Sequence, residues 1–168
     1  MAQEKIGEGF MGIPIGMNVS DRADDFMYVG DNLYGGQVLK LKDQLLQYKG
    51  ISIDSVHYLA LDGKVSHIFL YLNLPETLEL LEIFTDRYGK FLRKTTDDSH
   101  LRYLSREWEQ QGKYRLSVLF TNNDVANLPL EAKEQKGFGR ITFADIVADT
   151  KIESRRRVYF NSCEVCEN

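Results

Sequence analysis

The chain has 168 residues, 43% hydrophobic and 27% charged with three prolines, a composition that suits one folded domain with a substantial core and excludes a disordered or repeat-built protein. A formal net charge of −4 and a pI near 5.4 argue against nucleic acid as a partner, because affinity for phosphates comes largely from Lys and Arg releasing counterions. No apolar run approaches the roughly 20 residues that span a bilayer, so no transmembrane segment is expected.

In chain order, residues 10–16 are apolar and punctuated by Gly and Pro. They predict a short edge strand, since Pro14 cannot donate to a ladder. Residues 20–25 offer Ser20 as a cap and acids for one or two helical turns. Turns follow at Asp31-Asn32 and Gly35-Gly36. Residues 37–42 alternate as a strand does, and residues 43–48 fit a strand or a helix equally.

Residues 56–73 predict a hairpin around Asp62-Gly63, the dipeptide favoured in a two-residue type I′ turn. Counting outward from Leu61 opposite Lys64 places Tyr58 opposite His67, Val56 opposite Phe69 and His57 opposite Ile68. That register sends His57 and His67 to opposite faces. A helix is predicted over 75–88, with Asn73 and Glu76 spaced as a capping box and Pro75 in its first turn. Leu80, Leu81, Phe84 and Tyr88 form its apolar stripe, and Gly89 is placed to end it. A second hairpin over 101–121 turns near Gly112, and residues 138–146 read as a last strand. The sequence shows no internal repeat. The expected fold is α+β, a mostly antiparallel sheet with one long helix packed on it as a single layer. Residues 1–150 are expected to form one domain and residues 151–168 a C-terminal tail with room for partial order.

The string Phe10-Met-Gly-Ile-Pro-Ile-Gly16, the helix ending Asp86-Arg-Tyr-Gly-Lys90 and the strand carrying Trp108 before a hairpin resemble small, uncharacterised secreted or periplasmic bacterial proteins, many of them lipoproteins. The resemblance implies an exported α+β module and assigns no active site. The chain departs from the lipoprotein pattern in having no cysteine near its start to carry a lipid.

Three groups of residues invite a functional reading. Cys163 and Cys166 form a CxxC, but only Glu167 and Asn168 follow. No helix can begin there to lower a thiol pKa, which argues against redox catalysis. As a metal site the pair supplies two of four ligands, and the expected register keeps His57 and His67 apart. The reading that remains is a local disulfide in an oxidising compartment or two free thiols in a reducing one; no metal and no cofactor are expected. Trp108 beside Arg106 and Arg115 would make an exposed cation–π surface in one hairpin register. With a three-residue loop Trp108 instead joins Leu104, Tyr114, Leu116 and Val118, the register that buries more apolar area. Arg155, Arg156 and Arg157 offer a basic stretch diluted by Glu153, Glu164 and Glu167.

No GxSxG, P-loop, HExxH or GxGxxG is present. The expected function is a noncatalytic binding or structural module, exported to the periplasm or secreted, whose partner is a protein or an envelope component. The alternatives are an acidic immunity-type protein that covers a basic toxin and, third, a small hydrolase; the alternative location is the cytoplasm.

Overall fold

A computed structural model describes residues 5–96, 103–121 and 137–162. Two 3-10 segments, Ile6–Glu8 and Val19–Asp25, precede β1 (Phe26–Asp31) and β2 (Gln37–Leu41). A small ribbon of β3 (Gln47–Tyr48) and β4 (Ile51–Ser52) leads to β5 (Ser55–Leu61), β6 (Lys64–Asn73) and the helix α1 (Leu74–Tyr88). The second half contains β7 (Arg93–Thr96), β8 (Tyr103–Gln110), β9 (Tyr114–Thr121), β10 (Phe138–Asp145) and the helix α2 (Ile146–Ser162).

Among the described residues the main sheet has eight antiparallel strands in the order β1-β2-β5-β6-β10-β9-β8-β7. The protein is therefore α+β with a large antiparallel sheet. Two four-stranded meanders, each followed by a helix, meet at the central pair β6 and β10. The strand plan is thus repeated although the sequence is not.

The two helices take opposite faces. Phe143 of β10 pairs with Ile68 of β6 and meets Phe84 of α1 edge to face, with ring centres 5.8 Å apart. The neighbouring pair, Ala144 and His67, points the other way, and His67 bonds to Asp149 of α2. The main core lies under α1, where Leu70, Leu72, Leu116, Val118 and Ile141 are enclosed with Leu80 and Phe84. α1 starts with Pro75 in its first turn and ends at Gly89, whose φ is +81°. The expected capping box does not form. The Asn73 side chain makes no cap, and Thr77 Oγ1 instead donates 2.7 Å to the Asn73 carbonyl.

Residues 10–16 are not an edge strand. Phe10 and Ile13 make an isolated bridge around Met11 and Gly12, both with positive φ, and Phe10, Ile13 and Ile15 plug the core. The hairpin register is also corrected. Leu61 faces Lys64 and Ala60 faces Val65, but Ser66 is then the extra residue of a β-bulge, so Leu59 meets His67, Tyr58 meets Ile68 and His57 meets Phe69. The bulge collects Val56, Tyr58, Ile68 and Leu70 on the core face; without it these apolar residues would be split between the two faces. As a result His57 and His67 share one face.

A second long helix was not expected. Asp145 Oδ1 accepts from the amides of Val147 at 2.8 Å and Ala148 at 3.1 Å and so caps α2. The helix continues without a break through residues 150 and 151, where a tail was expected. No helix among the described residues is long and apolar enough to cross a membrane.

Candidate ligand-binding face

The face opposite α1 can be laid out row by row from the strand registers. One row runs Tyr71, Arg140, Leu119 across β6, β10 and β9; the next runs His57, Phe69, Thr142, Ser117 across β5, β6, β10 and β9; the third runs Leu59, His67, Ala144, Arg115. α2 lies over the third row, leaving a groove of about 260 Å³ between itself and the open sheet. Phe69, Ser117, Arg140 and Thr142 form the floor, and Asp149 and Ile152 of α2 line one wall.

Polar contacts hold that wall. His67 Nε2 lies 3.2 Å from Asp149 Oδ1, and Arg115 Nη1 donates 3.1 Å to Asp149 Oδ2. Arg115 Nη2 reaches Glu109 at 3.4 Å across the β8–β9 pair. The bond from His67, reinforced by the charges of His67 and Arg115, outweighs partial burial and holds the Asp149 carboxyl below its ordinary range. Further along α2, Arg155 Nη1 donates 3.4 Å to the Tyr34 carbonyl and Lys151 sits 3.9 Å from Asp62.

Ser66, His67 and Asp149 form a chain that superficially matches a hydrolytic triad. Ser66 Oγ is 2.9 Å from His67 Nδ1, and His67 Nε2 meets the carboxylate. The two ring nitrogens have the reverse of their roles in a serine hydrolase, where the carboxylate orients Nδ1 and the hydroxyl bonds Nε2. Ser66 is also enclosed in the bulge, 4% exposed, with the Leu59 carbonyl 3.0 Å from its oxygen. If the hydroxyl donates to Leu59, Nδ1–H must donate to Ser66 and Nε2–H to Asp149, which makes the ring an imidazolium. If it donates to Nδ1, the ring is neutral with its proton on Nε2. Both arrangements fasten a helix to a sheet; neither presents a nucleophile.

Other polar groups on the face are unspent. Thr142 and Ser117 are direct cross-strand partners, and neither hydroxyl has a side-chain bond among the described residues. Arg140 is exposed and has no acidic partner there. Arg115 Nε is buried without an acceptor. Phe69 stacks on His67 with ring centres 5.7 Å apart and planes 9° apart, and His57 packs edge-on against Tyr71. Burial, then the nearby Lys40 charge, lowers the pKa of His57.

The residues singled out in the sequence do not assemble into one surface. The loop of β8–β9 has three residues, Gln110 faces Tyr114, and Trp108 faces Leu116. Trp108 is 2% exposed, its Nε1 donating 2.8 Å to the Gly89 carbonyl and its ring meeting Phe91 edge to face. Arg106 shares that face and lies over Phe91 and Phe120, whereas Arg115 points to the opposite face toward α2. Arg155, Arg156 and Arg157 lie exposed on α2, the last two beside Glu153 at 3.9 and 3.5 Å. Cys163 and Cys166 fall outside the described residues. Among the described residues no group of His, Cys, Asp and Glu is placed to hold a metal.

Apart from Arg115, the residues that line the groove escaped a sequence reading because they are spread over β6, β9, β10 and α2. Only the alternation Arg140, Thr142 on a strand with Ile141 and Phe143 facing inward marked a polar face. No family model, curated protein or solved structure matches the chain.

Proposed function

We propose that the protein is a noncatalytic binding module, working in the cell envelope as the resemblance implies, and that its ligand sits on the open sheet face beside α2. The observation that carries this reading is a groove floored by Arg140, Thr142 and Ser117, whose side chains have no partner among the described residues, next to the half-buried ring of Phe69. Ligand sites combine apolar walls with a few convergent polar groups in this way. The triad-like chain under α2 supports the same reading, because its hydroxyl is enclosed while its carboxylate and imidazole orient a helix.

A fragment screen followed by amide chemical shifts tests it. Binders should perturb Phe69, Thr142, Ser117 and Arg140 together. Thr142→Tyr, which fills the floor from a half-buried position, should abolish those shifts and leave the melting temperature unchanged. Hits that cluster elsewhere, or survive in Thr142→Tyr, would move the site off this face. Cell fractionation tests the envelope placement separately.

A further inference from the structure

Resting on that proposed surface, we infer that the ligand is a small organic acid, a flat apolar body ending in an oxyanion, and that Asp149 of α2 competes with that oxyanion for Arg115.

Among the described residues the donors on the face outnumber their acceptors: Arg140 has no carboxylate, Thr142 and Ser117 stand side by side with hydroxyls that make no bond, and Arg115 keeps one buried N–H unmatched. A guanidinium with adjacent hydroxyls is the donor set that recognises carboxylate, sulfonate or phosphate oxygens. Arg140 is two residues along β10 from Thr142, and Arg115 is two along β9 from Ser117, so the hydroxyl pair lies between two guanidinium groups. Phe69, Leu59 and Ile152 supply the apolar wall. The groove, about 260 Å³, is smaller than the ~300–1,000 Å³ of sites for drug-sized ligands, which favours a single-ring acid over a nucleotide.

The carboxylates nearby set the limits. Glu109 is bound to Arg115, and Glu107 faces Ser117 from β8 on the side away from Thr142. Asp149 reaches the floor from above, with its side chain 44% exposed and bonded to Arg115 and His67. A ligand oxyanion on Thr142 and Ser117 sits one row from that carboxylate, is repelled by it and competes for Arg115. Among its described side chains α2 has little else to hold it on this face: Ala148 is buried and Ile152 half-buried, Val147 and Val158 are exposed, and Arg155 and Lys151 make one long polar contact each. Ligand capture should therefore loosen α2 from the sheet.

The test uses the full chain and three probes, benzoate, phenylacetate and benzenesulfonate, against benzyl alcohol, benzylamine and inorganic phosphate. Calorimetry should show at least one aryl acid binding tenfold or more tighter than all three controls. Arg140→Gln should weaken it about tenfold, and Asp149→Asn, which keeps the side-chain shape and an acceptor, should strengthen it several-fold. Saturating probe should speed amide hydrogen exchange along α2. Equal binding of benzyl alcohol or benzylamine would overturn the anionic class, and equal binding of phosphate would overturn the apolar body. An unchanged or weakened affinity in Asp149→Asn, or slower exchange in α2 on binding, would overturn the competing role of Asp149. If no fragment of any charge perturbs the groove amides, the proposed surface itself falls.

Discussion

Gly139 of β10 lies so close to Thr77 of α1 that a Cβ added to it would sit 2.0 Å from Thr77 Oγ1 and 2.6 Å from Thr77 Cβ. The helix rests on the strand backbone at this point because position 139 has no side chain. Gly139→Ala should therefore force α1 off the sheet and cost about 1–3 kcal/mol, the range for overpacking a well-filled core. Gly30→Ala, at a site with open space around it, should stay within ~0.5 kcal/mol of the parent. Urea unfolding of the two variants checks the contrast; equal midpoints would mean the α1–β10 contact is loose.

The β5–β6 hairpin makes two separate demands. Asp62 and Gly63 need φ of +52° and +75°, so Gly63→Val, a β-branched residue in a left-handed position, should lose more than ~1 kcal/mol. Ser66 is needed as the extra residue of the bulge. Deleting it would restore simple alternation, place Tyr58 opposite His67, and turn one strand's apolar set away from the core. The deletion should yield no cooperative unfolding transition, read by circular dichroism during a thermal scan. A cooperative transition near the parental temperature would show that the register tolerates either count.

The same bulge explains how far the sequence could be read. Asp62-Gly63 announced a turn through local chemistry, and α1 through its apolar stripe, because both signals lie within one short segment. Ser66 carries no local mark of a bulge; its placement follows from which faces α1 and the sheet must bury, information held by Phe84, Phe143 and Ile141 far along the chain. α2 was invisible for a related reason. Its inner contacts among the described side chains are Ala148, Asp149 and Ile152, two of them small or charged, so these residues make no apolar stripe to announce it. The candidate face depended on both missing facts, since the bulge turns His67 and Phe69 onto the face of His57 and Leu59, opposite α1, and α2 supplies Asp149.

Trp108 is the chain's single tryptophan, and its burial makes it a direct reporter of the second hairpin. Its emission should be blue-shifted in the native state and poorly quenched by iodide. Trp108→Ala should cost about 3–5 kcal/mol for the lost volume. Trp108→Phe should cost less, but more than a simple loss of size, because the Gly89 carbonyl at the end of α1 would lose the indole donor. Strong quenching of native Trp108 would contradict the three-residue loop and return the residue to the surface.

Adjacent residues of β5 should set opposite ends of the pH profile. His57 has its pKa lowered, first by burial and then by Lys40, so the unfolded chain takes up a proton near its ordinary value of about 6.5 before the folded one does. Stability must then fall as pH drops from just above 6.5 toward the lower folded value. Tyr58 has its pKa pushed up to about 12 by burial, which outweighs the opposing bond from Gln44. The unfolded tyrosine ionises near 10, so stability must fall again as pH rises from about 10 to about 12. Urea midpoints across this range, compared variant by variant, separate the two. His57→Phe should flatten the acid limb alone, and Tyr58→Phe the alkaline limb alone, though at lower overall stability because Gln44 Nε2 loses its 2.7 Å partner. An acid limb unchanged in His57→Phe would mean that His57 titrates alike in both states, and with it the packing of His57 against Tyr71 on the candidate face would be lost.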